Sequence, residues 1–232
     1  MDLFSGEFTG YARQMLYGGL VTIQLFLSGF SLALVCGTAV GIVSLSRNAI
    51  IQGAYRVYLS IITGVPSLLI IFLIYYGGGA MLARVLGHSR SFDVTPFSAG
   101  VASLTIVYSV YIAELVRGAV RNLPRGQFEA AAALAIRPWA AWLYIIIPQL
   151  VRLALPGLIN IWLIVLKDTP LVSLAGLNEL VGTAKIAAGA TKKPFLFFIT
   201  ASLFFILFSA VTLRLSALLE RRFARGIAEV KA

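Results

Sequence analysis

The chain has 232 residues, of which 59% are hydrophobic and only 12% are charged, and its mean hydropathy is +0.93. Such a composition leaves too little polar surface to coat a soluble globule and predicts a protein of the lipid bilayer. The 19 Lys and Arg residues against 9 Asp and Glu residues would favour a nucleic-acid partner in a soluble protein, but basic cytoplasmic loops account for them in a membrane protein, so we expect no nucleic-acid partner.

Five apolar runs come close to or exceed the roughly 20 helical residues that cross a bilayer. In chain order they lie at 15–45, 54–76, 96–116, 150–166 and 195–218. The fourth run is irregular, because Pro148, Arg152 and Pro156 crowd its start and the interrupted stretch KDTPLVSLAGLNEL follows it. Since irregular backbone is tolerated at membrane depth where it lines a cavity, this region predicts a half-helix or a re-entrant element. The expected fold is all-α and polytopic, with a single transmembrane domain over residues 1–232.

The basic residues predict the orientation, because short cytoplasmic loops carry an excess of Lys and Arg. Twelve of them fall on the side that holds the C-terminus: Arg47, Arg56, Arg117, Arg121, Arg125, Arg137, Arg152, Arg214, Arg221, Arg222, Arg225 and Lys231. Seven fall on the other side: Arg13, Arg84, Arg90, Lys167, Lys185, Lys192 and Lys193. We therefore expect the N-terminus outside the cell and the C-terminus in the cytoplasm.

Between the third and fourth runs lies GQFEAAAALAIRPW, whose residues 126–135 we call the docking segment. Glu129 suits the positive N-terminal end of a helix, the alanines supply helix propensity, and Pro138 stops the helix. An isolated helix of this length is marginal in water, so it needs a surface to lie against. Two interpretations remain open. It is either an interfacial helix packed on its own bundle or a docking element for another protein, with small alanines for close approach and Phe128 and Leu134 as apolar pegs.

Ionisable residues inside the apolar runs are candidates for a substrate path, since such groups are costly in a bilayer and usually face a cavity or one another. Glu114 and Arg117 lie three residues apart and share a helix face, either as a structural ion pair or as a substrate contact. Lys167 and Asp168 fall between mid-membrane and the outer face, either as a self-neutralising pair or as part of the path. With the adjacent Thr169 they complete the candidate path.

The docking segment also carries a resemblance to a known family. GQFEAAAALAI followed by YIIIPQLVRLALPG resembles the EAA loop of permease subunits of binding-protein-dependent ABC importers, which forms a coupling helix. A narrower resemblance, to the polar amino-acid permeases and most of all to their histidine and opine branch, is carried by VYSVYIAELVRGAVRNLPRGQFEAA, YLSIITGVPSLLIIFLIYYG, LALPGLINIWLIVLKDTPLVSLAGLNELV and LERRFARG. The resemblance covers residues 17–226, and the combination of motifs is specific although EAA alone is weak.

The resemblance implies which residues contact an ATPase subunit, namely Gly126, Gln127, Phe128, Glu129, Ala130, Ala131 and Leu134. Three positions depart from the family pattern. Ala135 stands where a glycine usually follows the EAA segment, which weakens the prediction of a sharp break in the coupling helix at that point. Thr63 stands where an arginine is common before G-x-P, and Pro170 where a small residue is common after KDT.

The resemblance further implies a permease subunit of a type I ABC importer in the bacterial inner membrane, one that moves polar amino acids, basic ones or opines above all, and hydrolyses nothing. Its implied partners are a pair of ATPase subunits that bind ATP and Mg, a second related permease in a heterodimer, and a periplasmic binding protein that delivers the solute. The sequence agrees in having no G-x-x-x-x-G-K-[ST] loop, so we expect this chain to bind no cofactor.

Other classes of membrane protein remain as alternatives. A secondary transporter would be expected to show internal repeats and paired broken helices, which five apolar runs do not display. A non-transporting scaffold subunit would account for none of the matching motifs. A membrane-embedded enzyme would need a catalytic constellation, for which one His, one Cys and few acids offer little, and no metal site is expected either.

Overall fold

The structure, a computed structural model, describes residues 6–87 and 93–224 of the chain. Arg90, Arg225 and Lys231, which entered the prediction of orientation, lie outside the described residues, as does the end of the expected core at 225–226. All of the regular secondary structure in the described residues is helical. Its helices are α1 (Gly6–Ser44), α2 (Ala49–Gly64), α3 (Ser67–Phe72), α4 (Gly78–Val85), α5 (Pro96–Arg121), α6 (Gly126–Ala133), α7 (Pro138–Ala140), α8 (Ile147–Asp168), α9 (Leu180–Thr191) and α10 (Pro194–Ala224).

Three short segments, which are wound more tightly or more widely than an α-helix, join some of these helices into longer rods. The π-helical turn Leu73–Gly77 connects α3 to α4, and a second one, Ala141–Ile146, connects α7 to α8. The 3₁₀ turn Thr169–Ala175 prolongs α8. Within the described residues, five segments are then long and apolar enough to cross a membrane: Gly10–Ser44, Ser67–Val85, Pro96–Arg121, Pro138–Ala175 and Pro194–Leu218. The predicted all-α fold with about five spans is confirmed.

The second span differs from its prediction, which ran without interruption over 54–76. The chain leaves the helix at Val65, whose φ of −104° and ψ of 128° are extended, and α3 begins only after Pro66. Proline lacks an N–H and disfavours helical backbone at the residue before it, so a break at this point follows from the sequence V-P. The spanning rod is therefore Ser67–Val85, and α2 is a separate helix in front of it.

The irregular backbone of the fourth run lies on both sides of α8, in the π-helical turn Ala141–Ile146 before it and in the 3₁₀ turn Thr169–Ala175 after it, within the stretch KDTPLVSLAGLNEL. Pro148 directly follows the π-helical turn Ala141–Ile146 within the same rod, where its missing N–H removes one helical hydrogen bond, and Pro156 lies inside a helix that continues past it. The rod ends only at Gly176, whose φ of 92° is left-handed and suits glycine. The 12-residue α9 follows, and the half-helix or re-entrant element stays a prediction.

The centre of the bundle is made by α1, α5 and α8. At Gly37 of α1, an added Cβ would lie 2.7 Å from the Ser109 carbonyl oxygen on α5, so only glycine permits this close approach of the two helices. Earlier along α1, the rings of Phe26 and Phe30 meet Trp162 of α8 edge-on, with centroids 4.5 and 4.8 Å apart. These contacts hold the three helices in fixed register.

A buried acid fixes α9 against α1. Glu179 is fully buried and caps α9, since its Oε1 accepts from the Gly182 N–H at 2.8 Å and its Oε2 accepts from the Thr22 hydroxyl at 2.9 Å. Thr22 in turn accepts from the Leu180 N–H at 3.1 Å. Burial raises the pKa of the Glu179 carboxyl above its ordinary value, although the hydrogen bonds it accepts favour the ionised form. Its contacts make Glu179 a structural residue.

Candidate functional site

The docking segment forms α6. The helix ends in a sharp break at Ala135, the position where the family usually has a glycine. Ala135 adopts a left-handed φ of 54°. Its N–H donates to the Ala132 carbonyl, and the Ile136 N–H donates to the Ala131 carbonyl, both at 3.0 Å. This pair of hydrogen bonds is the Schellman motif, which terminates helices most readily at glycine. The alanine keeps the break at a cost in backbone strain.

One face of α6 lies against its own bundle. The ring of Phe128 meets Trp142 edge-on at 5.8 Å between centroids, and the Gln149 side-chain amide donates to the Gln127 side-chain oxygen at 3.1 Å. Ala131 is only 5% exposed. Ala131 therefore packs within the chain, whereas Phe128 contacts Trp142 and still keeps 39% of its surface exposed. The prediction that these two residues contact an ATPase subunit stays a prediction. The π-helical turn Ala141–Ile146 supplies the surface on which α6 rests, and the sequence could not show which helix face that surface would cover.

The opposite face of α6, which we call the outer face, consists of Gly126, Glu129, Ala130 and Leu134. All four are exposed, and Leu134 has 73% of its surface free. Their spacing of three to four residues places them along one stripe of the helix. A carboxylate, a small residue and an exposed leucine on one stripe can accept a close protein contact.

A cavity of about 400 Å³ with several polar side chains in its wall lies between the last turn of α2, the break at Val65 and Pro66, α5 and α8. Its volume falls within the range of ligand pockets, roughly 300–1,000 Å³. The polar side chains in its wall are Thr63, Ser67, Tyr108, Tyr111 and Asp168. The break between α2 and α3 thus builds one wall, and two neighbouring transmembrane rods build the others.

Asp168, the last residue of α8, carries the charge of this cavity. The hydroxyl of Tyr108, which is 4% exposed, donates to Asp168 Oδ2 at 2.6 Å. None of the residues in the wall is basic. Among the side chains that the structure describes, at 10–87 and 93–218, Asp168 forms no ion pair. The cavity therefore holds an uncompensated carboxyl group.

The neighbours of Asp168 in sequence are directed elsewhere. Lys167 is exposed and is not part of the cavity wall, so the alternative of a self-neutralising pair with Asp168 is wrong. Successive helical residues point about 100° apart, which separates the two side chains. Thr169 is fully buried, and its hydroxyl donates to the Leu166 carbonyl at 2.8 Å. Of the three adjacent candidates, the structure places only Asp168 in the cavity.

The fourth candidate, Glu114, belongs to a separate group on α5. The hydroxyl of Tyr55 donates to Glu114 Oε1, and the Arg117 guanidinium lies 3.9 Å from the same oxygen. The guanidinium also lies over the Tyr55 ring, 5.1 Å from its centroid. The structure places Glu114 and Arg117 on one face of α5 as predicted, with their charged groups 3.9 Å apart, whereas the part of Tyr55 was not expected.

Sequence reasoning missed the tyrosines of the cavity. Tyr108 lies sixty residues before Asp168, and nothing in the sequence joins them. One signal was available: Tyr108, Tyr111 and Glu114 recur at intervals of three residues, which places them near one face of a helix. A polar stripe on a membrane-spanning helix indicates a surface that does not face lipid.

Comparison with known proteins gives consistent results. Residues 29–225 match the family described as binding-protein-dependent transport system inner membrane component. The chain is 36% identical to a nopaline transport system permease protein of Agrobacterium fabrum, over 94% of each chain. It is 35% identical to a histidine/lysine/arginine/ornithine transport system permease protein of Salmonella typhimurium, over 94% of this chain and 96% of that protein.

Two solved structures share the fold. A chain of the crystal structure of an amino acid ABC transporter with histidines is 27% identical, with a TM-score of 0.80 over 96% of this chain and 100% of that one. A chain of a methionine ABC transporter in an inward-facing conformation superposes with a TM-score of 0.71 at 15% identity, over 92% and 98% of the two chains. The second likeness concerns the fold alone.

Proposed function

The chain belongs to the family of binding-protein-dependent transport system inner membrane components, and on this premise we propose that it is the permease subunit of an ATP-driven importer of cationic amino acids or opines. We infer a cationic solute because the Asp168 carboxyl group, which has no basic partner, lies in the wall of a cavity of about 400 Å³. A protein of this family is a transporter component and not itself an enzyme.

Asp168 is the residue that receives the positive charge of the solute. Hydrogen bonds between a carboxylate and a cationic donor are shorter and stronger than neutral ones, and the apolar surroundings of a bilayer strengthen the attraction. The Tyr108 hydroxyl holds the carboxyl group in place. One relative is named for histidine, lysine, arginine and ornithine, and the last three have cationic side chains at neutral pH.

The outer face of α6 is the contact with an ATPase subunit. Glu129 lies in the first turn, where the positive end of the helix stabilises a carboxylate, and Leu134 supplies an exposed apolar side chain. The other side of α6 contacts Trp142 in the π-helical turn and is hydrogen-bonded to Gln149 in the first turn of α8, and α8 ends at Asp168. A shift of α6 can therefore reach the cavity through α8, so that the ATPase state biases which side the cavity opens to.

The complete transporter contains further subunits. A pair of ATPase subunits binds ATP and Mg, a second, related permease joins this chain as a heterodimer, and a periplasmic binding protein delivers the solute. The resemblance to the histidine and opine branch favours the heterodimer. The five spans and the family place the chain in the inner membrane.

The orientation within that membrane is part of the proposal, with the N-terminus outside and the C-terminus and α6 in the cytoplasm. Single cysteines in place of Arg125 and Lys192, in a Cys36→Ala background, test it, because Cys36 is exposed and would react itself. A membrane-impermeant thiol reagent added to intact cells should label position 192 and not position 125. Labelling of position 125 from outside contradicts the orientation.

Reconstitution tests the function itself. The complete transporter in proteoliposomes should take up labelled L-arginine only when ATP is present on the side of the membrane that carries the ATPase subunits. L-glutamate should not compete with L-arginine for uptake. This chain purified alone should hydrolyse no ATP. Uptake that an ion gradient drives without the ATPase subunits would favour a secondary transporter and contradict the proposal.

A further inference from the structure

A second group of polar side chains lies on α5 between the cavity and α6. Glu114 follows Tyr108 by six residues, which is about 9 Å along a helix at 1.5 Å per residue. From Glu114, α5 continues to Arg121, and the chain then enters α6. Glu114 therefore lies on the side of the cavity that leads to the docking helix, and it is not part of the cavity wall.

The charges of this group are only partly satisfied. The Arg117 side chain is 13% exposed, and its buried Nε has no hydrogen-bond partner among the described residues. Its distance of 3.9 Å to Glu114 Oε1 is too long for a hydrogen bond. Glu114 has 48% of its side chain exposed. A purely structural ion pair would bring these two groups into direct hydrogen-bond contact, and this pair is not so arranged.

A half-exposed carboxylate beside an incompletely paired guanidinium matches the chemistry of an amino acid. The carboxylate is suited to an ammonium or guanidinium group, and the guanidinium to a carboxylate. Tyr111, which is 45% exposed, lies three residues from both Tyr108 and Glu114, so polar side chains lead from the cavity to this group along α5. Exposed polar groups on a spanning helix face water or a partner and not hydrocarbon.

We propose that Glu114 and Arg117, held by Tyr55, form a second amino-acid site between the Asp168 cavity and the cytoplasm. The inference rests on the proposed function. Glu114 receives the cationic group of the solute after it leaves Asp168, and Arg117 receives the carboxylate. A counter-charge midway shortens the distance that a cation travels unpaired through surroundings of low dielectric constant, so it speeds the passage of the solute.

The competing explanation is a latch that holds α2 on α5. Tyr58, three residues after Tyr55, also reaches α5, where its hydroxyl lies 2.8 Å from Ser109 Oγ and donates to the Ile106 carbonyl at 3.0 Å. For a latch, the hydrogen bond from Tyr55 to Glu114 matters and the charge of Glu114 does not. For a substrate site, the charge matters and the hydrogen bond is secondary.

Two substitutions separate charge from hydrogen bond. Glu114→Gln keeps an acceptor for Tyr55 and removes the charge, whereas Tyr55→Phe keeps the charge and removes the hydrogen bond. In proteoliposomes of the complete transporter, Glu114→Gln should lower the maximal rate of ATP-driven L-arginine uptake about tenfold, because one charge contact is lost. Tyr55→Phe should lower the same rate by no more than about threefold. Equilibrium binding of L-arginine should change little in both, because Asp168 remains, and Glu114→Asp should restore most of the uptake.

The outcomes divide clearly. Unchanged uptake in Glu114→Gln, or an equal loss in Tyr55→Phe, overturns the second site in favour of the latch. Arg117→Gln provides an independent variant if Glu114→Gln does not assemble: a loss of about fivefold in uptake supports the site, and normal uptake overturns it. Absence of ATP-driven uptake in the wild type contradicts the proposed function itself, whereas a normal wild-type rate together with a normal Glu114→Gln rate contradicts the second site alone.

Discussion

The docking helix α6 and the Asp168 cavity are built in opposite ways. The eight residues of α6 are consecutive, and its outer face is open. The cavity draws its wall from residues 62–67, 107–111 and 161–168, which meet only in the folded bundle. A local element offers a contact that single substitutions can change without disturbing the bundle, whereas a distributed site depends on the position of several helices at once.

This difference predicts that coupling to the ATPase and selection of the solute can be separated by mutation. Substitutions on the outer face of α6 should alter subunit assembly or coupled transport and leave solute binding intact. Substitutions in the cavity should do the reverse. The buried face of α6 should belong to neither class, because it serves the stability of this chain.

The largest expected effect is that of Asp168→Asn. The substitution keeps the size of the side chain and removes the charge, and hydrogen bonds to charged groups contribute about 1.5–3 kcal/mol, so L-arginine binding and uptake should fall by about 10- to 100-fold. The ATPase subunits should still copurify. Lys167→Gln is the matched control, since Lys167 adjoins Asp168 but lies outside the cavity. Normal uptake in Asp168→Asn would remove the cavity from the solute path.

Two tryptophan substitutions on α6 test its two faces. Ala131 is buried, so Ala131→Trp should overpack the contact with the bundle and destabilise the chain by about 1–3 kcal/mol, measured as a lower thermal unfolding midpoint. Ala130 is exposed, so Ala130→Trp should leave that midpoint unchanged and reduce copurification of the ATPase subunits. The reverse pattern would show that the two faces have been assigned the wrong way round.

A smaller effect is expected for Glu129→Lys. A positive charge at the N-terminal end of α6 is unfavourable by about 1 kcal/mol, so ATP-coupled uptake should fall roughly fivefold while L-arginine binding stays normal. Glu129→Gln, which removes the charge without reversing it, should give an intermediate rate. Normal uptake and normal ATPase copurification in Glu129→Lys would reduce the outer face of α6 to an interfacial surface.

The smallest effect, and one of opposite sign, is expected at the end of α6. Ala135→Gly should raise the thermal unfolding midpoint slightly, because glycine relieves about 1 kcal/mol of left-handed strain and loses part of that gain to its own chain entropy. Ala132→Gly, inside the helix, should lower the midpoint by an amount equivalent to about 1 kcal/mol. If both substitutions lower it, the break at Ala135 is not strained.

The sequence by itself determined the class of the protein, about five spans, the place of the docking helix and the family. Each of these depends on neighbours along the chain: apolar runs long enough to cross a bilayer, alanines beside Glu129, prolines that start or stop helices. The resemblance depends on contiguous motifs for the same reason. The candidate Asp168 came from its depth in an apolar region, which is also a local property.

Only the tertiary structure decided what those residues face. It gave Asp168 a partner in Tyr108 instead of Lys167, turned Ala131 and Phe128 toward the bundle, and made the break at Val65 a wall of the cavity. Helix periodicity sets the angle between two side chains of one helix, but the face that meets a neighbour follows from the packing of all helices together. Contacts between residues far apart in the sequence arise from that packing, and no local pattern encodes them.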